Sequence, residues 1–173
     1  MKKILISIKP KWVKKILNGD KTIEVRKTAP KCELPCEVYI YCTKENAKYF
    51  IDNKIYNAMM NGKVVANFTL NKVGIFDKKS FGTYEEPFTR NQTELLEKSC
   101  LAEKELDDYL KGKKGYAWHI DKLVPFDKPK ELKEFHHEYK GNKHDDMVDY
   151  INFFKLNPLT HAPQSWQFVE VNE

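Results

Sequence analysis

The chain has 173 residues and a mass of 20.4 kDa, the size of one domain. With 41% hydrophobic residues, 32% charged residues and a mean hydropathy of −0.66, it can build one core beneath a heavily solvated surface, which excludes membrane-embedded, collagen-like and wholly disordered classes. The net charge of +5 is unevenly spread: residues 1–44 carry +7, residues 45–120 carry +1 and residues 121–173 carry −3, so an anionic partner is expected near the first quarter.

The opening strand is read from Ile4, Ile6 and Ile8, which alternate with Leu5 and Ser7. Its apolar run breaks at Lys9-Pro10, too early for a signal peptide, and the expected location is the cytoplasm with no membrane association. Pro10 suits the first turn of a helix whose apolar stripe is Trp12, Val13, Ile16 and Leu17, and Gly19 ends it. Strands follow at 21–27 and 36–43, then a partly helical stretch over 46–61 and a strand over 63–73. A Gly/Pro/Thr-rich loop is expected over 74–91, with helices at 93–98 and 102–110. A strand over 116–126, a polar irregular segment over 127–162 with helical potential at 145–155, and a strand over 165–171 complete the chain. About five to six strands with short helices and no β-α alternation predict an α+β fold: a closed or nearly closed mixed β-barrel with peripheral helices. No internal repeat or dividing linker is visible, so residues 1–173 are expected to form one domain with loop insertions around 74–91 and 127–162.

Residues 19–26, Gly-Asp-Lys-Thr-Ile-Glu-Val-Arg, follow the amphipathic helix and open a strand in the pattern G-x-K-x-x-E-x-R. Around it, in order, stand Ser7-Ile8-Lys9-Pro10, Val38 to Thr43, Gly62 to Ala66, Tyr116 to Ile120 and Pro163-Gln164-Ser165-Trp166. On this ordered series the chain resembles the ASCH domains of the PUA-like superfamily. The resemblance implies a small β-barrel with a cleft between barrel and helices, lined by the motif strand, and binding of RNA or a nucleotide.

The chemistry of the motif suits that expectation. Arg26 offers a planar fork to a phosphate or base edge, Lys21 a point charge, and Glu24 an acceptor for an exocyclic amine. Tyr41 and Trp118 offer stacking faces. The candidate ligand contacts are therefore Lys9, Lys21, Thr22, Glu24, Arg26, Tyr41, Trp118 and Ser165. Some proteins of the family hydrolyse the amide of acetylated cytidine with a Lys, a Thr and a Glu, and their Thr stands where this sequence has Glu24. The alternative function is thus a hydrolase acting on RNA or a modified nucleoside, with Lys21 and Glu24 as acid–base groups.

No metal or cofactor is expected. Cys32 and Cys36 have a zinc-like spacing, but Cys36 shares an apolar strand face with Cys42. The group His136-His137 with His144-Asp145-Asp146 reads as an exposed polar loop. The acidic segment 121–173 is the expected contact if a protein partner exists.

Overall fold

A computed structural model describes residues 1–45, 60–77, 92–141 and 147–171. In chain order these hold β1 (Lys3–Ile8), α1 (Pro10–Leu17), β2 (Ile23–Arg26), β3 (Cys36–Cys42), β4 (Val64–Leu70), β5 (Val73–Phe76), α2 (Gln92–Ser99) and α3 (Glu103–Leu110). They continue with β6 (Gly115–His119), β7 (Asp121–Lys130), β8 (Phe135–His137), α4 (Met147–Leu156) and β9 (Trp166–Val171). No helix among the described residues is long and apolar enough to cross a membrane.

The strands form two sheets. One has six strands in the order β7-β4-β3-β1-β9-β8, and the other has three, β2-β6-β5. The β1–β3 pair is parallel, and the other pairs are antiparallel. β1 is central and covered on both sides, which is why its sequence is apolar at nearly every position. Its Ile4, Ile6 and Ile8 join Val38, Ile40, Phe68 and Trp118 in a core between the sheets, closed by Val13 and Ile16 of α1. Leu5 points to the opposite face, where Tyr39, Tyr41, Phe135 and Val169 form a second core. The outer face of the small sheet, through Ile23, Val25 and Ala117, takes Leu95 of α2 and Leu106 and Leu110 of α3.

The local sequence explains the placement of β2. The Lys9 carbonyl accepts the N–H groups of Trp12 and Val13 to start α1. Gly19, at φ +82, lets the chain turn back after the helix, and the Lys21 N–H then bonds the Lys15 carbonyl. The alternation of β2 sends Ile23 and Val25 outward to the helices, leaving Glu24 and Arg26 on the inner face. Glu105 fastens α3 by accepting the Ala102 N–H at 3.1 Å and the Lys11 ammonium of α1 at 3.1 Å.

The α+β class, mixed strands and short peripheral helices expected from the sequence are present. The strands are more numerous than expected. Residues 63–73 read as one strand, but the chain crosses between sheets after Leu70, and β5 forms because β6 supplies its partner, Gly74 lying opposite Ala117. The strand expected over 116–126 breaks at Ile120 for the return crossing, with Lys122 at φ +46. β7 then continues through Pro125 and Pro129 to Lys130, which an edge strand tolerates. β8 lies in the segment expected to be irregular, and its His136 is buried rather than exposed. Residues 46–59 and 78–91, and with them most of the expected 46–61 helix and the 74–91 loop, lie outside the described residues, as do His144, Asp145 and Asp146.

Two outcomes follow from this packing. Phe68→Ala empties the core between the sheets and is expected to cost about 3–5 kcal/mol in urea unfolding, whereas Val148→Ala, on the exposed face of α4, stays within about 0.5 kcal/mol. Burial holds the His119 imidazole below its ordinary pKa, partly opposed by Asp121. The folded state thus favours neutral His119, so its contribution is full above about pH 6.5 and is lost as pH falls below that. Melting curves between about pH 7 and pH 5 should fall less steeply for His119→Gln than for the wild type.

Candidate functional site

The motif residues meet where β2 passes the end of β1. Lys21 is 2% exposed, and its N–H groups are all met: by the Ile23 carbonyl at 2.8 Å, the Ser99 carbonyl at 2.7 Å and Glu24 Oε2 at 3.2 Å. Ser99 closes α2, so the ammonium sits on carbonyl groups at a helix C-terminus, where the helix dipole favours a cation. The Thr22 N–H bonds the neighbouring Lys98 carbonyl at 2.9 Å, making a second tie between the motif and α2. The Trp12 ring covers the site from α1, its centroid 5.2 Å from the Lys21 Nζ.

Glu24 is the hinge of the cluster. Its second oxygen, Oε1, lies 3.0 Å from Arg26 Nε, so each carboxylate oxygen faces one cation. Arg26 reaches from the small sheet to the large one: Nη2 donates to the Ser7 carbonyl at 2.6 Å and Nη1 to Ser165 Oγ at 3.4 Å. Each Nη keeps a second N–H with no partner among the described residues. Ser7 and Ser165 are themselves joined, the Ser7 N–H donating to the Ser165 carbonyl at 2.9 Å.

Trp118 is directly opposite Glu24 on β6 and is fully buried. Its indole N–H donates to the Thr28 carbonyl at 3.2 Å, and Trp166 donates to Thr28 Oγ1 at 2.9 Å. The two indole rings are 5.6 Å apart at a 59° tilt. Thr28 thereby clasps both tryptophans just after the motif.

Of the expected contacts, the structure brings Lys21, Glu24, Arg26, Trp118 and Ser165 together. Lys9 has an exposed side chain at the start of α1, and the Thr22 side chain is also exposed. Tyr41 packs on the opposite face of the large sheet, in the second core, and so does not share a surface with Trp118. Burial raises the pKa of its phenol. Trp118 lies beside Glu24 on the neighbouring strand but is fully buried, so it offers no stacking face to a base; it packs the core behind the motif.

Three contributors escaped the sequence reading. The Ser99 carbonyl is a backbone group with no residue-type signal. Thr28 lies in a loop whose course only the fold reveals. Tyr109 reads as one more apolar position of α3, yet it is 37% exposed, and the charges of Arg26 and Glu24 both act on its phenol.

The four cysteines are free thiols, Cys36 and Cys42 buried and Cys32 and Cys100 half-buried. Cys32 and Cys36 approach to 2.9 Å, burial and then the Cys32 thiol push Cys36 up to about 12, and burial does the same to Cys42. A cavity of about 960 Å³ opens elsewhere, beside β9, between Lys2, Lys3, Tyr139, Tyr150 and Glu170.

Comparison with solved structures matches the fold to the crystal structure of ASCH from Zymomonas mobilis. The match has a TM-score of 0.59 and 19% identity, covering 97% of this chain and 87% of that one. The chain has the ASCH-domain fold. Two single-residue variants of the same protein match equally, at TM-scores of 0.59 and 0.58 and identities of 18% and 19%, covering 97% and 98% of this chain and 88% and 91% of theirs. No protein-family model matches the chain, and no curated protein does. Within this ASCH fold the motif strand is thus held by α2 on one side and by the large sheet on the other.

The charge cluster should behave as one unit. Lys21→Met is expected to destabilise the protein by about 3 kcal/mol, because it strands the Ser99 and Ile23 carbonyls and half of Glu24. In a denaturation double-mutant cycle with Glu24→Gln, the coupling should reach about 1 kcal/mol or more; additive losses would contradict the arrangement.

Proposed function

We propose that the protein binds single-stranded RNA or a nucleotide, gripping a phosphate or base edge with Arg26 and a base amine with Glu24. The observation that carries this reading is the state of Arg26: the guanidinium is fixed by Glu24, Ser7 and Ser165, yet each Nη retains an N–H with no partner among the described residues. A fork held in one geometry loses little further freedom on meeting a planar anionic partner. Residues 1–44 carry +7, and within them Lys14 and Lys15 lie exposed on α1, whose Trp12 covers the site, which favours approach of a polyanion. In this reading Lys21 positions Glu24 and does not touch the ligand, because its N–H groups are already met.

The same commitment weighs toward binding over hydrolysis. A general acid or base needs a proton to give or an open lone pair near the reacting atom, and Lys21 is closed off by two carbonyls. Ligand capture without turnover is therefore the expected behaviour.

The test is anisotropy of a labelled single-stranded RNA of about ten nucleotides at about 50 and 200 mM salt. Wild type should bind and weaken as salt rises, and Arg26→Lys should bind about tenfold more weakly with a native circular dichroism spectrum. Undetectable or salt-insensitive wild-type binding, or an Arg26→Lys variant equal to wild type, would contradict the proposal. Mass spectrometry of RNA and acetylated cytidine after incubation should return both intact; cleavage or deacetylation would establish the hydrolase alternative.

A further inference from the structure

A second cluster lies where β2 ends, at Arg26. Arg26 pairs with Tyr116, and β6 begins one residue earlier at Gly115, so the turn of residues 111–114 emerges beside Lys27. Lys27, Lys111, Lys113 and Lys114 are all exposed, and none has an acidic partner among the described residues. The turn is ordered: Lys111 at φ +52 and Gly112 at φ +72 end α3, with the Lys111 N–H on the Asp107 carbonyl and the Lys113 N–H on the Leu110 carbonyl. Of the acidic neighbours, Asp108 is engaged by Lys104 at 2.8 Å, and Asp107, which lies beside Gly112 and Lys113, has an interaction of its own.

Tyr109 joins this turn to the motif. Unlike Leu106 and Leu110, it does not enter the third core. The Lys27 ammonium lies 4.8 Å from its ring centroid. Lys27 directly follows Arg26, the last residue of β2, and so places the ring at the end of the motif strand. A partly exposed ring flanked by lysines that have no ion-pair partner among the described residues combines the features that bind single strands: a π-face for a base and a basic track for the backbone. A mononucleotide would need only Arg26 and Glu24, whereas charge spread along a turn suits a chain of phosphates.

We propose that Tyr109, Lys27 and the 111–114 turn carry a single-stranded polynucleotide away from the Glu24–Arg26 site, with Tyr109 stacking the base next to the one held there. This inference rests on the binding reading above and makes the ligand a strand, with a free nucleotide only as its fragment.

The test compares a labelled RNA of about ten nucleotides with 5′-mononucleotides, on wild type, Tyr109→Leu, Tyr109→Phe and a variant carrying Lys111→Gln, Lys113→Gln and Lys114→Gln. Wild type should prefer the oligonucleotide, and Tyr109→Leu should shrink that preference about tenfold, while Tyr109→Phe stays within about twofold of wild type. The lysine variant should lower the slope of log affinity against log salt by about 2. Oligonucleotide affinity and slope unchanged in both the Tyr109→Leu and lysine variants, or an equal loss for both probes, would overturn the strand path while leaving the Arg26 reading intact. Wild type binding neither probe would overturn the Arg26 reading and this inference with it.

Discussion

An ammonium group that is 2% exposed must have every N–H met, and at Lys21 this requirement links three parts of the molecule. The Ser99 carbonyl ties it to the last turn of α2, the Ile23 carbonyl to the start of β2, and Glu24 to the inner face of the small sheet. The helix C-terminus gains a cation, the cation gains carbonyl acceptors, and the carboxylate is turned toward Arg26. That buried charge holds one oxygen of Glu24 and leaves the other facing the guanidinium.

The two side chains proposed to meet the ligand, Glu24 and Arg26, stand on a strand and are braced from the loops and helix end around it. Arg26 spans from the small sheet to the Ser7 carbonyl of β1, the most deeply covered strand of the large sheet. Thr28 then draws Trp118 and Trp166 together. A guanidinium fixed this firmly is preorganised, which suits recognition of a planar anionic group. The exposed ring of Tyr109 and the lysines beside it extend the same electropositive end of the molecule outward.

Much of this was legible in the sequence, for identifiable reasons. Ile4, Ile6 and Ile8, the Pro10 start and the Gly19 stop are local signals, and the elements they predict are present. Placing Glu24 and Arg26 on one face needed only strand alternation. What could not be read depended on partners distant in sequence. β5 is four residues long and exists because β6 lies beside it. The break at Ile120 reflects a crossing between sheets, and Tyr41 faces away because strand parity assigns it to the second core. Lys21 looked like a ligand contact because a lysine at a strand's mouth is ordinarily exposed; the carbonyl that claims it is 78 residues away.

The most direct test follows the guanidinium itself. Arg26 and Arg90 are the arginines of the chain, so ¹⁵N-labelled arginine gives a sparse Nε–H spectrum that Arg90→Lys assigns. The account requires an Arg26 Nε–H signal that exchanges slowly with water, because the atom is buried, and that shifts as single-stranded RNA is added. An Arg26 signal that exchanges like a solvent-exposed arginine, or that stays unmoved while the RNA binds, would contradict it.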